Sequence, residues 1–305
     1  MAFDAVFSTD LHADCVKFVP KTEAPVAVFA CYELNEDTQV RHGKLALAQY
    51  NVGSREISIR QSISLPGVFD IQWFTDRLLG CALAEGPPQF YKYNTEEVLE
   101  SVPVDIIDYP TTVPSLCMAG SESSFVTGDN RGDLHLCQDF TYQLRWRAHD
   151  AEIWYCSVDP VERNILYSGG DDFALKGWDL RAPAHAIFQD RKSHTAGVCC
   201  VDGSPLDANL LATGSYDHFL RIWDKRAMAR GPMDKIDCGS GVWRFAWHPE
   251  QPDWLAVAAM RAGFHVVARQ AGDVHALPRR GSVSERGPTL RVIDCVDGVV
   301  HQATR

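Results

Sequence analysis

Short runs in which apolar and polar residues alternate dominate this chain. In "GDLHLCQD", for example, Leu134 and Leu136 fall on one face of a strand and the residues beside them on the other. Similar runs recur from about Ala13 to Ala268, separated by turns that contain Gly, Asn or Pro. None of them has the period of about 3.6 residues that marks an amphipathic helix. The pattern therefore predicts an all-β protein built from short strands.

The alternation belongs to an internal repeat. "SGGDDFALKGWDLR", which begins at Ser168, aligns with "TGSYDHFLRIWDKR", which begins at Thr213, at an offset of 45 residues. At an offset of 44, Pro205 falls on Pro249, which marks a third and weaker copy in which Cys238 stands where a histidine is expected. At the offset of 45 the coincident pairs are Gly169/Gly214, Asp172/Asp217, Leu175/Leu220, Trp178/Trp223, Asp179/Asp224, Arg181/Arg226, His149/His194 and Pro160/Pro205.

The period identifies the repeat type. Units of about 40 to 45 residues, with a histidine near the start and Trp-Asp near the end, are typical of WD-repeat blades of four antiparallel strands. Three fainter units upstream bring the number to six. The sequence thus predicts a WD-repeat β-propeller with about six recognisable blades over residues 1–269, followed by a divergent tail over residues 270–305 that supplies at most one closing strand.

The repeated polar residues predict a structural network in each of the two best copies. A turn aspartate, a loop histidine, a strand hydroxyl and an indole can form a buried chain of hydrogen bonds. A hydrolase triad is the competing interpretation, but an arrangement repeated within one chain indicates an architectural need, whereas a reaction centre is usually single. The two predicted sets are His149, Ser168, Asp172 and Trp178, and His194, Thr213, Asp217 and Trp223.

The residues that the repeat does not explain are the candidates for function. Asp171 has Tyr216 as its counterpart, so the fold does not require an acid there. Trp154 and Trp243 occupy equivalent places, where the intervening copy has Cys199, and they either flank a pocket or pack between blades. Arg244 can pair with a carboxylate, and Glu152 lies in the loop before a first strand. Cys199 and Cys200 are possible nucleophiles, although "GVCCV" is typical of a buried strand.

Composition narrows the class of function. Twenty-nine basic residues against forty acidic ones give a net charge of −11, which opposes binding to nucleic acid or to an anionic membrane. No apolar run approaches the ~20 residues of a membrane span, and we expect no signal peptide. Ten cysteines without a Cys-x-x-Cys pair indicate reduced thiols in a cytosolic or nuclear protein and argue against a structural zinc site. Of these compartments we expect the cytoplasm, and we expect no metal site. We expect no cofactor.

A family resemblance rests on four segments. "YSGGDDFALKGWDLR", "HTAGVCC", "LATGSYDHFLRIWDKR" and "GVWRFAWHP", in this order, resemble the WD-repeat diphthine methyl ester esterases, also called diphthine methyltransferases. The resemblance is good from about His149 to His265 and loose upstream. It implies a carboxylic ester hydrolase of diphthamide biosynthesis, which removes a methyl ester, as methanol, from an intermediate on translation elongation factor 2. It also implies a substrate that carries a permanent cation and a possible association with other proteins of that pathway.

The resemblance suggests roles for the candidates. Trp154 and Trp243 would hold the cation, with Glu152 and Arg244 as further substrate-binding residues. His194, despite its structural role, and Asp171 are the candidate catalytic bases.

The C-terminal region departs from the family, whose seven-bladed propeller continues with a complete blade after Val267. Either "TLRVIDCV" supplies one strand that pairs with "FDAVFST", or the chain is truncated and has an open edge. A non-catalytic WD-repeat adaptor is the main alternative function. A methyl-group transferase is disfavoured because the chain lacks a Gly-rich cofactor loop between a strand and a helix.

Overall fold

The computed structural model describes residues 6–104, 106, 108–110, 113–270, 273–276 and 299–301. These residues form β-strands and one short 3-10 helix, Lys225–Arg230, and the described part of the chain contains no α-helix. They divide into two compact units: the first contains the described residues up to 153 together with 299–301, and the second those from 154 to 276. Each unit is built from four-stranded antiparallel sheets, called blades below, in which consecutive strands are neighbours.

The first unit holds three blades. The apolar strand "VAVFACYEL" is mostly buried, and one of its faces packs against the second blade of this unit. Val28, Leu45 and Leu79 are fully buried in the core between its first two blades. The blades are β2 (His12–Phe18), β3 (Val26–Leu34), β4 (Arg41–Asn51) and β5 (Glu56–Pro66); β6 (Val68–Trp73), β7 (Leu78–Leu83), β8 (Gln89–Tyr93) and β9 (Leu99–Val102); and β10 (Ser115–Ser121), β11 (Ser124–Asp129), β12 (Asp133–Gln138) and β13 (Thr141–Arg147).

The second unit holds three more blades, and their strands follow the repeat read from the sequence. Leu220, Val242 and Val257 are buried in the core between its last two blades. The blades are β14 (Ile153–Val158), β15 (Ile165–Gly170), β16 (Leu175–Asp179) and β17 (Ala186–Asp190); β18 (Val198–Gly203), β19 (Leu210–Ser215), β20 (Phe219–Asp224) and β21 (Asp234–Asp237); and β22 (Val242–Trp247), β23 (Trp254–Ala259), β24 (Gly263–Gln270) and β25 (Asp273–Ala276).

A two-stranded sheet in the first unit joins distant parts of the sequence. β1 (Val6–Ser8) pairs antiparallel with β26 (Val299–His301). β1 lies within "FDAVFST", whereas "TLRVIDCV" lies outside the described residues, so its pairing stays a prediction. The division into residues 1–269 and 270–305 stays a prediction as well.

Candidate functional site

A β-bulge shapes the first strand of the blades. In β18, Val198 pairs with Ser215 and Cys200 with Gly214, so Cys199 has no partner across the sheet. In β22 the same irregularity lies between Val242 and Arg244 and leaves out Trp243. A bulge bends the strand and re-aims the side chain of the extra residue, and bulges are common beside functional sites. Cys199 and Trp243 thus lack a cross-strand partner, and the repeat aligns Trp154 with both of them.

The end of the second strand lies beside this bulge, because the two strands run antiparallel. The residue that follows it is Asp171 in the first blade of the second unit, Tyr216 in the next and Met260 in the last. Tyr216 is 38% exposed and Met260 41%, so this end of the sheets faces solvent. Three equivalent turns therefore present a carboxylate, a phenol and a thioether beside the bulge residues.

Three aromatic rings meet at this end of the second unit. The ring centroids lie 6.1 Å apart for Trp154 and Trp243, 6.4 Å for Trp154 and Tyr216, and 6.0 Å for Tyr216 and Trp243, and each pair is edge-to-face. We call this group the ring site. A cation within about 6 Å of an aromatic face is attracted by the ring quadrupole, so three half-exposed rings in a triangle suit a methylated ammonium group. Tyr216 was missed as a site residue, since the sequence alignment treated it only as the counterpart of Asp171.

Asp171 adjoins the ring site through a single hydrogen bond. The Trp154 indole Nε1 donates to Asp171 Oδ1 at 3.0 Å. Gly197 makes room for this pair, because a Cβ there would lie 2.5 Å from Asp171 Oδ1 and 3.2 Å from Trp154 Nε1. The structure thus brings together Asp171, Trp154 and Trp243, all of which the sequence singled out.

Arg244 binds the backbone next to the ring site. Its Nη1 donates to the backbone carbonyls of the two bulge residues, Cys199 at 2.9 Å and Trp243 at 3.0 Å. Its guanidinium carbon lies 4.6 Å from the Trp243 ring centroid and 4.8 Å from that of Tyr155. Arg244 therefore ties two neighbouring first strands together, and its predicted contact with substrate stays a prediction.

Part of the aromatic contact is architectural. In the first unit, Phe69 occupies a bulge between Val68 and Asp70, and its ring lies 5.0 Å from that of Tyr32. The contact between Trp243 and Tyr216 is the equivalent pair in the second unit. The third ring, Trp154, and its bond to Asp171 are what distinguish the ring site from this repeated contact.

Three residues of the second predicted structural set, His194, Thr213 and Trp223, are joined by hydrogen bonds. The Trp223 indole donates to Thr213 Oγ1 at 2.9 Å, and His194 Nε2 lies 3.0 Å from the same hydroxyl. The prediction that Asp217 joins this chain is not met, because Asp217 accepts from Arg221 at 2.6 and 2.9 Å and from the Thr195 backbone at 2.9 Å. Arg221, two residues before Trp223, binds the Asp217 carboxylate instead.

The first set shows the same core pair. The Trp178 indole donates to Ser168 Oγ at 2.9 Å, and Asp172 lies 3.4 Å from Arg191 and accepts from the Ala174 backbone at 3.2 Å. His149 is buried in the first unit, and its predicted bond to Ser168 stays a prediction. Glu152 also belongs to the first unit and is half-buried, and its role in substrate binding stays a prediction.

His194 has the environment of a structural residue. It is 3% exposed and stacks on Trp223 with ring centroids 5.7 Å apart. Burial, assisted by the Arg221 charge, lowers the pKa of its imidazole from 6.5 to about 4. Its role as catalytic base stays a prediction, and these surroundings favour the structural role that the repeat predicts.

The candidate thiols are buried. Burial raises the pKa of Cys199 well above its ordinary value and that of Cys200 to about 12. The nine cysteines in the described part of the chain are all buried thiols, which are poor nucleophiles in their protonated form.

Within the described ranges, no group of three His, Cys, Asp or Glu side chains has metal-binding geometry. No helix in the described part of the chain is long and apolar enough to cross a membrane.

Comparisons with known proteins agree with the fold and the resemblance. The WD domain, G-beta repeat family matches residues 187–224. A chain from a crystal structure of the mitotic checkpoint complex superposes with a TM-score of 0.62 over 88% of this chain and 81% of that one, at 17% identity. The predicted WD-repeat β-propeller with six blades is thereby confirmed.

The same comparisons identify relatives at the level of sequence. The chain is 31% identical to the diphthine methyltransferase of Homo sapiens over 76% of its own length, and 30% identical to the diphthine methyltransferase homolog of Dictyostelium discoideum over 68%. The protein of Schizosaccharomyces pombe is 29% identical over 77% of this chain and 73% of its own. This chain spans 56% of the human relative and 62% of that from Dictyostelium. The resemblance seen in the sequence is confirmed.

Proposed function

We propose that this chain, a WD-repeat relative of the diphthine methyltransferases, serves diphthamide biosynthesis as a carboxylic ester hydrolase. Its substrate is the methyl-esterified diphthine intermediate on translation elongation factor 2. Water adds to the ester carbonyl carbon, the bond from that carbon to the methoxy oxygen breaks, and the products are a carboxylate, a proton and methanol. The carboxylate stays on the elongation factor.

The ring site is the observation that carries this proposal. Its rings, Trp154, Tyr216 and Trp243, offer aromatic faces, of which Trp243 is also contacted by the Arg244 guanidinium, and the Asp171 carboxylate adjoins them. Aromatic faces and a nearby carboxylate together suit a permanent cation, which cannot donate a hydrogen bond. The trimethylammonium group of the intermediate has this chemistry. The net charge of −11 also favours a cationic substrate over a nucleic acid.

Asp171 is the group that we assign to proton transfer. Its Oδ1 accepts from Trp154, which leaves Oδ2 to take a proton from the attacking water. Cys199 and His194 are less suited, because one is a buried thiol with a raised pKa and the other is bonded to Thr213 in the interior. The partner is elongation factor 2, with other proteins of the pathway as possible associates, and the reaction takes place in the cytoplasm.

A mass measurement tests the proposal. Purified chain is incubated with elongation factor 2 that carries the methyl-esterified intermediate, and the modified peptide is followed by mass spectrometry while methanol is assayed. We expect loss of one CH2 equivalent with one methanol per turnover. Asp171→Asn should abolish the loss, whereas Asp253→Asn, which changes a half-exposed carboxylate in the last blade, should not. An unchanged mass with the wild-type chain would reject the hydrolase and favour the adaptor.

A further inference from the structure

We infer that Trp154 is a positioning residue, whose indole N–H holds the Asp171 carboxylate in a fixed place at the edge of the ring site. The inference rests on the proposed function, in which Asp171 takes a proton from water. It assigns one indole two tasks: its ring forms a wall of the ring site, and its edge orients the base. No such task follows from the WD repeat, which places Trp154 only as one of several bulge-position residues.

The hydrogen-bond pattern supports this assignment. Among the residues that the structure describes, Trp154 is the one hydrogen-bond partner of the Asp171 side chain. At the equivalent places in the next two blades, Cys199 faces a turn with Tyr216, and Trp243 a turn with Met260, so neither pair can join an indole N–H to a carboxylate. The bond is therefore particular to the first blade of the second unit and not a requirement of the fold.

The close approach of Gly197 also supports the assignment of Trp154 as a positioning residue. The backbone of the next blade passes so close to the pair that a Cβ would lie 2.5 Å from Asp171 Oδ1, the oxygen that Trp154 contacts. At the equivalent Gly241, the atoms nearest to a Cβ would be the Met260 Sδ at 3.0 Å and two Tyr216 atoms at 3.4 Å. The end of a methionine side chain can move aside, whereas an oxygen held by a hydrogen bond cannot do so without losing it. The small residue at position 197 keeps the pair in place.

The geometry also explains why a fixed carboxylate is useful here. A hydrogen bond from a neutral donor to one carboxylate oxygen restricts rotation of the group, so its second oxygen points in one direction. A substrate cation bound on the ring faces would then set the distance from its ester to that oxygen. Trp154 links the two, because the ring that contacts the cation is the ring that holds the base.

Kinetics of the Trp154→Phe variant test the assignment. Phenylalanine keeps an aromatic face but has no N–H, so we expect kcat for ester hydrolysis to fall about tenfold or more while KM changes by less than about threefold. Trp247→Phe is the matched control: it also deletes an indole hydrogen bond, that from Nε1 to the Asp202 carbonyl at 3.2 Å, at the other end of β22. It should leave both constants unchanged. Equal kcat values for Trp154→Phe and the wild-type chain would overturn the inference.

A spectroscopic measurement tests it without the reaction. The indole N–H resonance of Trp154 is assigned in a 15N-labelled protein by its absence from the Trp154→Phe spectrum. We expect Asp171→Asn and Gly197→Ala each to move this resonance strongly, and Gly241→Ala to move it much less. A resonance that stays in place in both Asp171→Asn and Gly197→Ala would overturn the inference.

The two measurements distinguish a failure of the proposed function from a failure of the positioning role of Trp154. If the wild-type chain does not hydrolyse the ester, the proposed function falls, and the indole resonance alone decides whether Trp154 holds Asp171. If the wild-type chain is active and Trp154→Phe is equally active, the proposed function stands and the positioning role falls.

Discussion

The rings of Trp154 and Trp243 lie edge-to-face with centroids 6.1 Å apart, although they belong to the first and last blades of the second unit. The intervening blade carries Cys199, which has a smaller side chain, at the equivalent place. Tyr216, from the turn of that same blade, completes the triangle.

Replacing a ring should weaken the binding of a quaternary ammonium. We expect Trp243→Leu to raise the Kd for tetramethylammonium about two- to thirtyfold, because a cation–π contact contributes about 0.5 to 2 kcal/mol. The measurement is a titration followed by tryptophan fluorescence. Trp247→Leu, in the same strand, should not change the Kd, and equal affinities for Trp243→Leu and wild-type protein would remove the ring site as a cation site.

The protonation of His194 should make stability depend on pH. The folded-state pKa of about 4 lies below the ordinary value of 6.5, so the unfolded chain takes up the proton first as the pH falls. Stability is therefore complete above pH 6.5 and declines by about 3 kcal/mol as the pH falls towards 4. Urea unfolding at a series of pH values should show a shallower decline for His194→Gln.

The control for this titration is His185→Gln, which changes an exposed histidine and should keep the wild-type slope. Ester hydrolysis per folded molecule should survive in His194→Gln. Loss of activity without loss of stability would instead make His194 the catalytic base.

The Asp217–Arg221 pair should be essential for folding. The side chains of both residues are nearly fully buried, and removing one partner of a buried pair costs about 3 to 5 kcal/mol because the other charge is left without compensation. Asp217→Asn should lower the free energy of unfolding by that amount in urea denaturation. Asp224→Asn breaks an exposed pair with Arg226 and should have little effect.

The same ion pair should make the free energy of unfolding decrease at low pH. Burial alone would raise the pKa of Asp217, but the hydrogen bonds from Arg221 and from the Thr195 backbone hold it at about 2, below the ordinary 3.8. Its contribution is present above pH 3.8 and is lost as the pH falls towards 2. Asp217→Asn should flatten the unfolding curve in this range, and an unchanged curve would contradict the pairing.

Cys199 should be unreactive in the folded protein. Burial and a raised pKa keep it as a thiol, so iodoacetamide should modify it only after denaturation. Peptide mass mapping before and after addition of urea provides the test. Cys199→Ala should keep ester hydrolysis within about twofold, and rapid alkylation of the native protein at this site would reopen its role as a nucleophile.

The sequence was sufficient for the blades and for much of the site. The offset of 45 residues aligned the tryptophans and hydroxyls, and hydrogen bonds join Trp178 to Ser168 and Trp223 to Thr213. The same alignment isolated Asp171 as an acid that the repeat does not need. Alternation and spacing depend on local chain geometry, which is why they could be read without a structure.

Contacts between blades were harder to predict. Tyr216 and Gly197 matter because of their distances to Trp154 and Asp171, which lie on a neighbouring blade. The sequence does not contain these distances. The sequence predicted that Asp217 joins the network of His194, but Arg221, four residues later in the chain, binds the same carboxylate. An alignment shows which positions are equivalent, but it does not show which of two donors a carboxylate accepts.

The bulge in the first strand has a consequence for how such a protein can change. The first strand of one blade contains an extra residue between Val198 and Cys200, and that of the next blade another between Val242 and Arg244. Neither extra residue has a partner on the adjacent strand. Equivalent irregularities lie between Ala13 and Cys15, between Val68 and Asp70, and between Ser115 and Cys117. Asp14, Phe69, Leu116, Cys199 and Trp243 fill these places, so one backbone accepts an acid, a phenyl ring, an aliphatic chain, a thiol or an indole. New chemistry can enter such a chain by single substitutions, while the sheets that carry it stay the same.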